Sequence, residues 1–290
     1  MSQSKEPSAA SASMIENPTG QAHAGYVLGH SDRELDRLHR QALLFADLTR
    51  DLLVRAGLES GMRVLDIGCG VGDVSVIAAD LVTPNGAVTG IDPSPEALAI
   101  ARARLDALGK PWVRFAPGTL EGLEDGSSFD AAIGRFILIH LANPAEALSR
   151  LRSRLRPGAV MCFIEFDLGT VAAYPPLPLL QQCTGWVGEV YRRMGRQLDM
   201  GVGLFGAFRA AGLKPEMVGL TRITTSDDEA GIDFLVESVR SLLPAMEKLG
   251  IARRDVVNID TLRDRLLQES ASGDHCVFYP RLVGAWAVVR

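Results

Sequence analysis

Three glycines, Gly68, Gly70 and Gly72, stand directly after the apolar run Val64-Leu65-Asp66-Ile67, and they constrain this chain more than any other stretch. A short apolar run, a glycine-rich turn and a helix-compatible run reading Asp73-Val74-Ser75-Val76 describe a strand entering a helix. Glycine lets the backbone turn sharply and lets a ligand come close to it. The helix start then offers N–H groups to a polar ligand. Two details narrow the ligand. The third glycine follows the second by two residues, whereas a dinucleotide fingerprint places it three residues on. Asp66 also precedes the first glycine by two residues, and a carboxylate there repels a pyrophosphate and favours a ligand carrying an amine.

The chain around this turn alternates strand and helix. Strands are predicted at Val64–Ile67, Ala87–Ile91, Trp112–Phe115, Phe129–Ile133 and Val160–Phe166. Helices are predicted between them. Ser94-Pro95 starts one, with serine as cap and proline in the first turn, and Asn143-Pro144 starts another. Regular alternation with apolar strands implies a parallel sheet covered on both faces. Ahead of it, Ser31 to Glu34 reads as a capping box, and a helix of roughly 25 residues follows, ending at Gly57. After Asp167 the regularity breaks. Tyr174-Pro175-Pro176 is unsuited to a central strand, and a helical stretch follows at 179–194. Residues 204–211 read as a helix and Met217–Thr224 as a sixth strand. Residues 229–270 read as mostly helical, capped from Ser226 and broken at Pro244 and Gly250. Arg281–Val289 reads as the last strand.

Composition excludes several classes. Of 290 residues 47% are hydrophobic, which suits one large α/β unit with insertions. The net charge of −5 lacks the basic footprint of a nucleic-acid partner. Cys69, Cys162, Cys183 and Cys276 form no Cys-x-x-Cys pair, so reduced thiols in a cytoplasmic protein are expected rather than a metal site. No apolar run reaches the ~20 residues of a membrane span. Residues 1–25, rich in Ser, Ala and Gln, read as a flexible tail.

The run Val64-Leu65-Asp66-Ile67-Gly68-Cys69-Gly70-Val71-Gly72 resembles the signature of class I S-adenosylmethionine (SAM)-dependent methyltransferases. The resemblance is close over residues 60–170 and architectural elsewhere. It implies a Rossmann-like, seven-stranded, mostly parallel sheet with helices on both faces, an N-terminal helix and helical lid insertions. The expected divisions are a tail at 1–25, a helical cover at 26–57, a SAM-binding core at 58–169, a lid at 170–200 and the rest of the core at 201–290, with a helical insertion near 229–270.

It also implies a set of binding residues. Gly68, Cys69, Gly70 and Gly72 cradle the cofactor, and Asp66 faces its amine directly or through water. Asp92, 24 residues after Gly68, accepts hydrogen bonds from the ribose hydroxyls, beside Pro93. A turn Asp before proline is the plain alternative. Similar enzymes place Gly-Asp-Ala after strand three; here the residues are Gly118-Thr119-Leu120, so the adenine-binding carboxylate is missing. Thr119 or a backbone group then substitutes, with Leu120 supplying apolar surface. The Arg135 backbone is the expected contact after strand four. Gln41 is expected at the methionine carboxylate, and the segment around Tyr26 over the cofactor.

For catalysis, His140 and Glu165 are the candidates, as a base or in orienting the acceptor; a loop-holding histidine and a capping carboxylate are the plain alternatives. Phe166, Tyr174, Trp186, Tyr191 and Tyr279 are candidate acceptor contacts, and each is equally at home in a core. Glu165 and Asp167 supply too few ligands for a metal, so none is expected. No Asn/Asp-Pro-Pro-Tyr grip for a flipped base is present.

The expected activity is methyl transfer from SAM to a small, partly apolar organic acceptor through O, N, C or S, in natural-product or cofactor biosynthesis. A small molecule is the expected partner, with a homodimer allowed. A nicotinamide-dependent oxidoreductase or a non-catalytic SAM-binding protein is the alternative.

Overall fold

A computed structural model describes residues 41–83, 85–122, 129–225 and 229–290. Tyr26, the capping box at Ser31, the tail at 1–25 and the cap at Ser226 lie outside them. Ten strands and nine α-helices are labelled here, all among the described residues.

The helix predicted before the sheet is seen from Gln41, and its regular part is α1, Ala46–Arg55. The sheet begins with β1, Arg63–Ile67. Then come α2, Asp73–Val82; β2, Ala87–Asp92; α3, Pro95–Leu108; and β3, Val113–Pro117. Next are β4, Ala131–Arg135; α4, Pro144–Arg154; and β5, Val160–Asp167. The predicted caps hold. Ser94 Oγ accepts from the Ala97 N–H at 3.1 Å, and Asn143 Oδ1 from the Glu146 N–H at 3.1 Å.

A short strand β6, Ala172–Tyr174, precedes helices α5, Pro178–Arg193, and α6, Met200–Ala210. Strands β7, Glu216–Leu220, and β8, Ile223–Thr225, follow, then α7, Glu229–Lys248, α8, Arg254–Val257, and α9, Ile259–Ser270. The chain closes with β9, Cys276–Phe278, and β10, Arg281–Val288.

Seven strands form one sheet in the order β3-β2-β1-β4-β5-β10-β7. Register is set by apolar matches such as Val64 with Val88 and Leu65 with Ala132. β10 runs antiparallel to β5 and β7. One face packs on α1, α2 and α3 through Phe45, Leu52, Ala78 and Leu98. The other packs on α4 and α6 through Leu148, Leu151, Leu204 and Phe208. A second, three-stranded sheet, β6-β9-β8, carries α5, α7 and α9 around its own apolar cluster of Leu180, Val239, Leu243 and Leu262.

Two expectations are corrected. Met217–Thr224 is not one strand. β7 stops at Leu220, and Ile223–Thr225 leaves the main sheet to pair with β9. The helix at 229–270 does not break at Pro244. α7 runs through it, because Val236, Val239, Leu243 and Met246 bury one continuous stripe whose packing exceeds the ~3 kcal/mol an interior proline costs. Gly250, at φ +65°, does end that helical run.

Gly231 shows how tightly the two parts are joined. A Cβ on it would lie 0.6 Å from the Tyr279 hydroxyl oxygen. Gly→Ala inside a helix ordinarily stabilises by about 1 kcal/mol. Here overpacking of about 1–3 kcal/mol outweighs that gain. We expect Gly231→Ala to lower the melting temperature, and the loss to shrink in a Tyr279→Phe background. Additive effects in the double-variant cycle would show that the two residues do not meet.

Candidate active site

The turn between β1 and α2 is built as its glycines suggest. Gly68, Gly70 and Gly72 have φ of +65°, +53° and +84°. Gly68 is doubly constrained, since a Cβ there would sit 2.0 Å from Ile137 Cδ1. Beside the turn lies a cavity of about 1160 Å³ at the carboxyl ends of the parallel strands. That is above the ~300–1,000 Å³ usual for one ligand.

Asp66 lines this cavity with 1% exposure and accepts a 2.6 Å hydrogen bond from Ser75 Oγ. Burial pushes its carboxyl up to about 7, while Ser75 and the Arg135 charge pull the other way. Arg135 is held from α1, donating to Thr49 Oγ1 at 2.8 Å. Its guanidinium feels Asp73 and Asp66 as counter-charges and lies 5.2 Å from the Phe136 ring centre. Asp92 Oδ2 accepts from the Gly70 N–H and Oδ1 from the Ser94 N–H, each at 2.9 Å. The carboxylate is thereby aimed across the turn, with further lone pairs to offer.

Gln41, Cys69, Pro93, Thr119, Leu120 and Arg135 line the same cavity. Gly72 does not; it is the left-handed cap of α2, closed in by the Phe115 ring. Gly90 leaves room for the Cys69 sulfur, 2.9 Å from where its Cβ would be. Burial and nearby Asp66 and Asp92 push the Cys69 thiol up, so it stays protonated.

The loop after β4 crosses the middle of the cavity. Phe136 sits in the left-handed region, φ +59°, a strained place for a bulky residue that costs on the order of 1–3 kcal/mol. It is held by its N–H bond to the Ile164 carbonyl, 2.9 Å, and by stacking on Phe166 at 4.1 Å. Glu165 fastens the next turn, one oxygen accepting from the Leu138 N–H at 2.6 Å. Its other oxygen is buried with no hydrogen-bond partner. Burial pushes the Glu165 carboxyl up to about 8, so near neutral pH it is mostly the acid.

His140 lines the cavity too. Burial, then the Arg196 charge, lowers it to about 4. The imidazole is neutral at neutral pH and a weak proton acceptor. Phe166, Tyr191 and Tyr279 line the cavity as expected, whereas Tyr174 and Trp186 do not. Tyr174 is exposed on the edge strand β6, and Trp186 packs into the apolar cluster under α5. Among residues the sequence reading missed, Ser75 follows from helical spacing after the turn. Phe234 and Leu235, which line the cavity, and Thr49, which holds Arg135, gave no signal, since they come from distant segments. Among the described residues no cluster of three or more His, Cys, Asp or Glu is placed to hold a metal.

Comparison with known proteins agrees with this layout. Residues 58–187 match the family described as "Methyltransferase domain". This stretch is similar to methyltransferase domains and carries β1 to β5, five of the seven strands of the main sheet. The chain is 35% identical over 186 residues to an uncharacterized 37.1 kDa protein in transposon TN4556 of Streptomyces fradiae, covering 59% of this chain and 54% of that one. It is 31% identical over 102 residues to a ubiquinone biosynthesis O-methyltransferase of a Methylobacterium species, covering 35% and 39%. The chain thus spans about half or less of the length of these curated relatives. In fold it is similar to geranyl diphosphate C-methyltransferase from Streptomyces coelicolor, with TM-score 0.52, 17% identity and coverage of 94% and 89%. No described helix is long and apolar enough to cross a membrane.

The Glu165 state is testable through stability. Its folded pKa, about 8, lies above the unfolded 4.5. Its favourable contribution is therefore complete below pH 4.5 and is lost as pH rises to about 8. Glu165→Gln lacks that loss. We expect the variant's melting temperature, relative to the parent, to climb steadily from pH 5 to pH 8 in calorimetric scans. A constant difference would mean that Glu165 is ionised throughout.

Proposed function

We propose that this protein transfers the methyl group of SAM to a small, partly apolar organic acceptor. The observation that carries the reading is the convergence of Asp66, Asp92 and Arg135 on one glycine turn, at one end of a cavity too large for the cofactor alone. In this reading the Asp66 carboxylate meets the methionine amine, and Arg135, with Gln41, its carboxylate. Asp92 takes the ribose hydroxyls. Pro93, Leu120 and Thr119 border the adenine in place of the missing carboxylate.

When bound, the sulfonium supplies an activated methyl group, and the chain's task is to align the acceptor and exclude water. The strained Phe136 and the fastened Glu165 fix the floor on which the two reactants meet. Glu165 is the candidate to receive a proton where the acceptor must lose one, acting through the minor fraction that is ionised near neutral pH, since a carboxylate whose pKa is about 8 is a stronger base than an imidazole near 4. Residues 26–57 and 170–200 act as cover and lid over the 58–169 core, with 201–290 completing the sheet and bringing the helical insertion. The same reading places the enzyme in a reducing, cytoplasmic setting without a nucleic-acid partner; sedimentation decides whether two copies associate.

A nicotinamide cofactor would set its pyrophosphate against Asp66, on a glycine turn whose spacing differs from the dinucleotide fingerprint. Calorimetric titration with SAM, S-adenosylhomocysteine (SAH) and NAD(P)H separates the two. We expect SAM and SAH to bind and NAD(P)H not to. Asp92→Ala should weaken SAM about ten-fold or more, from the loss of charge-assisted hydrogen bonds. Unchanged SAM affinity in a folded Asp92→Ala would remove the ribose assignment. Failure to methylate any member of a panel of phenols, amines, indoles and isoprenoids would favour a non-catalytic SAM-binding protein.

A further inference from the structure

The two ends of the cavity differ in charge. Every described carboxylate or guanidinium that lines it, Glu165 apart, comes from β1, the ends of β2 and β4, the first turns of α2 and α3, or the first two turns of α4. The opposite end is walled by α5, α7 and the three-stranded sheet. Its apolar surface comes from Leu180, Val187, Phe234, Leu235 and Val277. Its polar side chains are hydroxyl-bearing, among them Thr184, Thr225, Ser238 and Tyr279. No Asp, Glu, Lys or Arg from α5, α7, α9, β8 or β9 lines it among the described residues. At the boundary stand Glu165, mostly the neutral acid, and His140, neutral.

A charged acceptor entering this end sheds its water and finds no counter-charge among the described side chains of α5, α7, α9, β8 and β9. Hydroxyls replace only part of that hydration, and a buried unpaired ion costs far more than a neutral polar group. An alcohol or phenol needs only one or two hydrogen bonds, and the oxygens of Thr184 and Ser238 can accept one although their own hydrogens go to the Gln181 and Phe234 carbonyls. We propose that the α5–α7 end of the cavity receives an uncharged, chiefly apolar acceptor and turns away close analogues bearing a carboxylate, phosphate or ammonium group. This rests on the methyltransferase reading and names the substrate class of that same site.

The test uses the full chain, with and without saturating SAH, titrated calorimetrically at pH 7.5 with three matched pairs. These are 1-naphthol and 1-naphthoate, geraniol and geranyl phosphate, and phenethyl alcohol and phenethylammonium. The expected result is that at least one neutral member binds with a Kd below about 1 mM. In each pair that binds, the neutral member should be at least ten-fold tighter. Ser238→Lys should then cut the handicap of 1-naphthoate at least ten-fold, with Ser238→Gln as the uncharged control that leaves it in place; if the lysine variant does not fold, the parent pairs alone decide. A charged member binding as tightly as its neutral twin, or no neutral member binding, overturns the inference. SAH is titrated separately. If SAH fails to bind while the neutral preference holds, the cofactor reading falls and the acceptor inference stands. If SAH binds and the preference is absent, only the inference falls.

Discussion

The cofactor end of this molecule depends on one act of burial, that of the Asp66 carboxylate beneath a glycine turn. A carboxylate with 1% exposure is costly unless something balances it. Ser75 gives one hydrogen bond, and Arg135 gives charge from the side. Neither fully offsets the lost hydration, which is why the group sits near pKa 7 instead of near 4. A site in that condition is poised for a cation. An ammonium brought against Asp66 restores the ionised form, so binding and proton release are linked. Arg135 needs a matching anion for the same reason, with Asp66 and Asp73 as its present counter-charges. A zwitterion satisfies both groups at once, and the amino-acid end of SAM is one.

The loop after β4 joins this charged end to the uncharged one. It is over-determined. Phe136 accepts a strained backbone and is pinned from β5 by Ile164 and Phe166. Glu165 on the same strand caps the following turn. A carboxyl placed so close to backbone N–H groups would normally be an anion, but its second oxygen is sealed in without a partner, and desolvation wins. One strand therefore sets both the shape of the reaction floor and an acid-base group beside it whose pKa lies close to neutrality. Burial lowers His140, the more obvious base in the sequence, to about 4.

The parts that were legible in the sequence are those built from neighbours in the chain. Capping by Ser94 and Asn143, the left-handed glycines and the placing of Asp92 beside the glycine turn all follow from spacings within about 25 residues. The five parallel strands were legible for the same reason, since βαβ units are local. The splitting of Met217–Thr224 was not, because only the arrival of β9 from 50 residues further on draws Ile223–Thr225 out of the main sheet. Pro244 misled because its local cost is visible and the apolar stripe that outweighs it belongs to the tertiary fold. Trp186 and Tyr174 misled in a simpler way: aromatic type says that a residue packs, and not against what.

This asymmetry also explains why kinship speaks to the cofactor and not to the acceptor. The methyltransferase match covers residues 58–187 and ends within α5. Inside that range lie Asp66, the glycine turn, Asp92 and Arg135. Outside it lie Thr224, Phe234, Leu235, Ser238, Val277 and Tyr279, which make most of the far wall. The wall is assembled from segments that share no local pattern and meet only because a three-stranded sheet gathers them over the ends of the main strands. A cavity made in this way can change its acceptor by substitutions on α7 or β9 without disturbing the turn that holds the cofactor. Fold similarity at 17% identity therefore carries the architecture. The choice of acceptor has to be read from the wall itself, where the described side chains offer shape and hydroxyls but no ionised group.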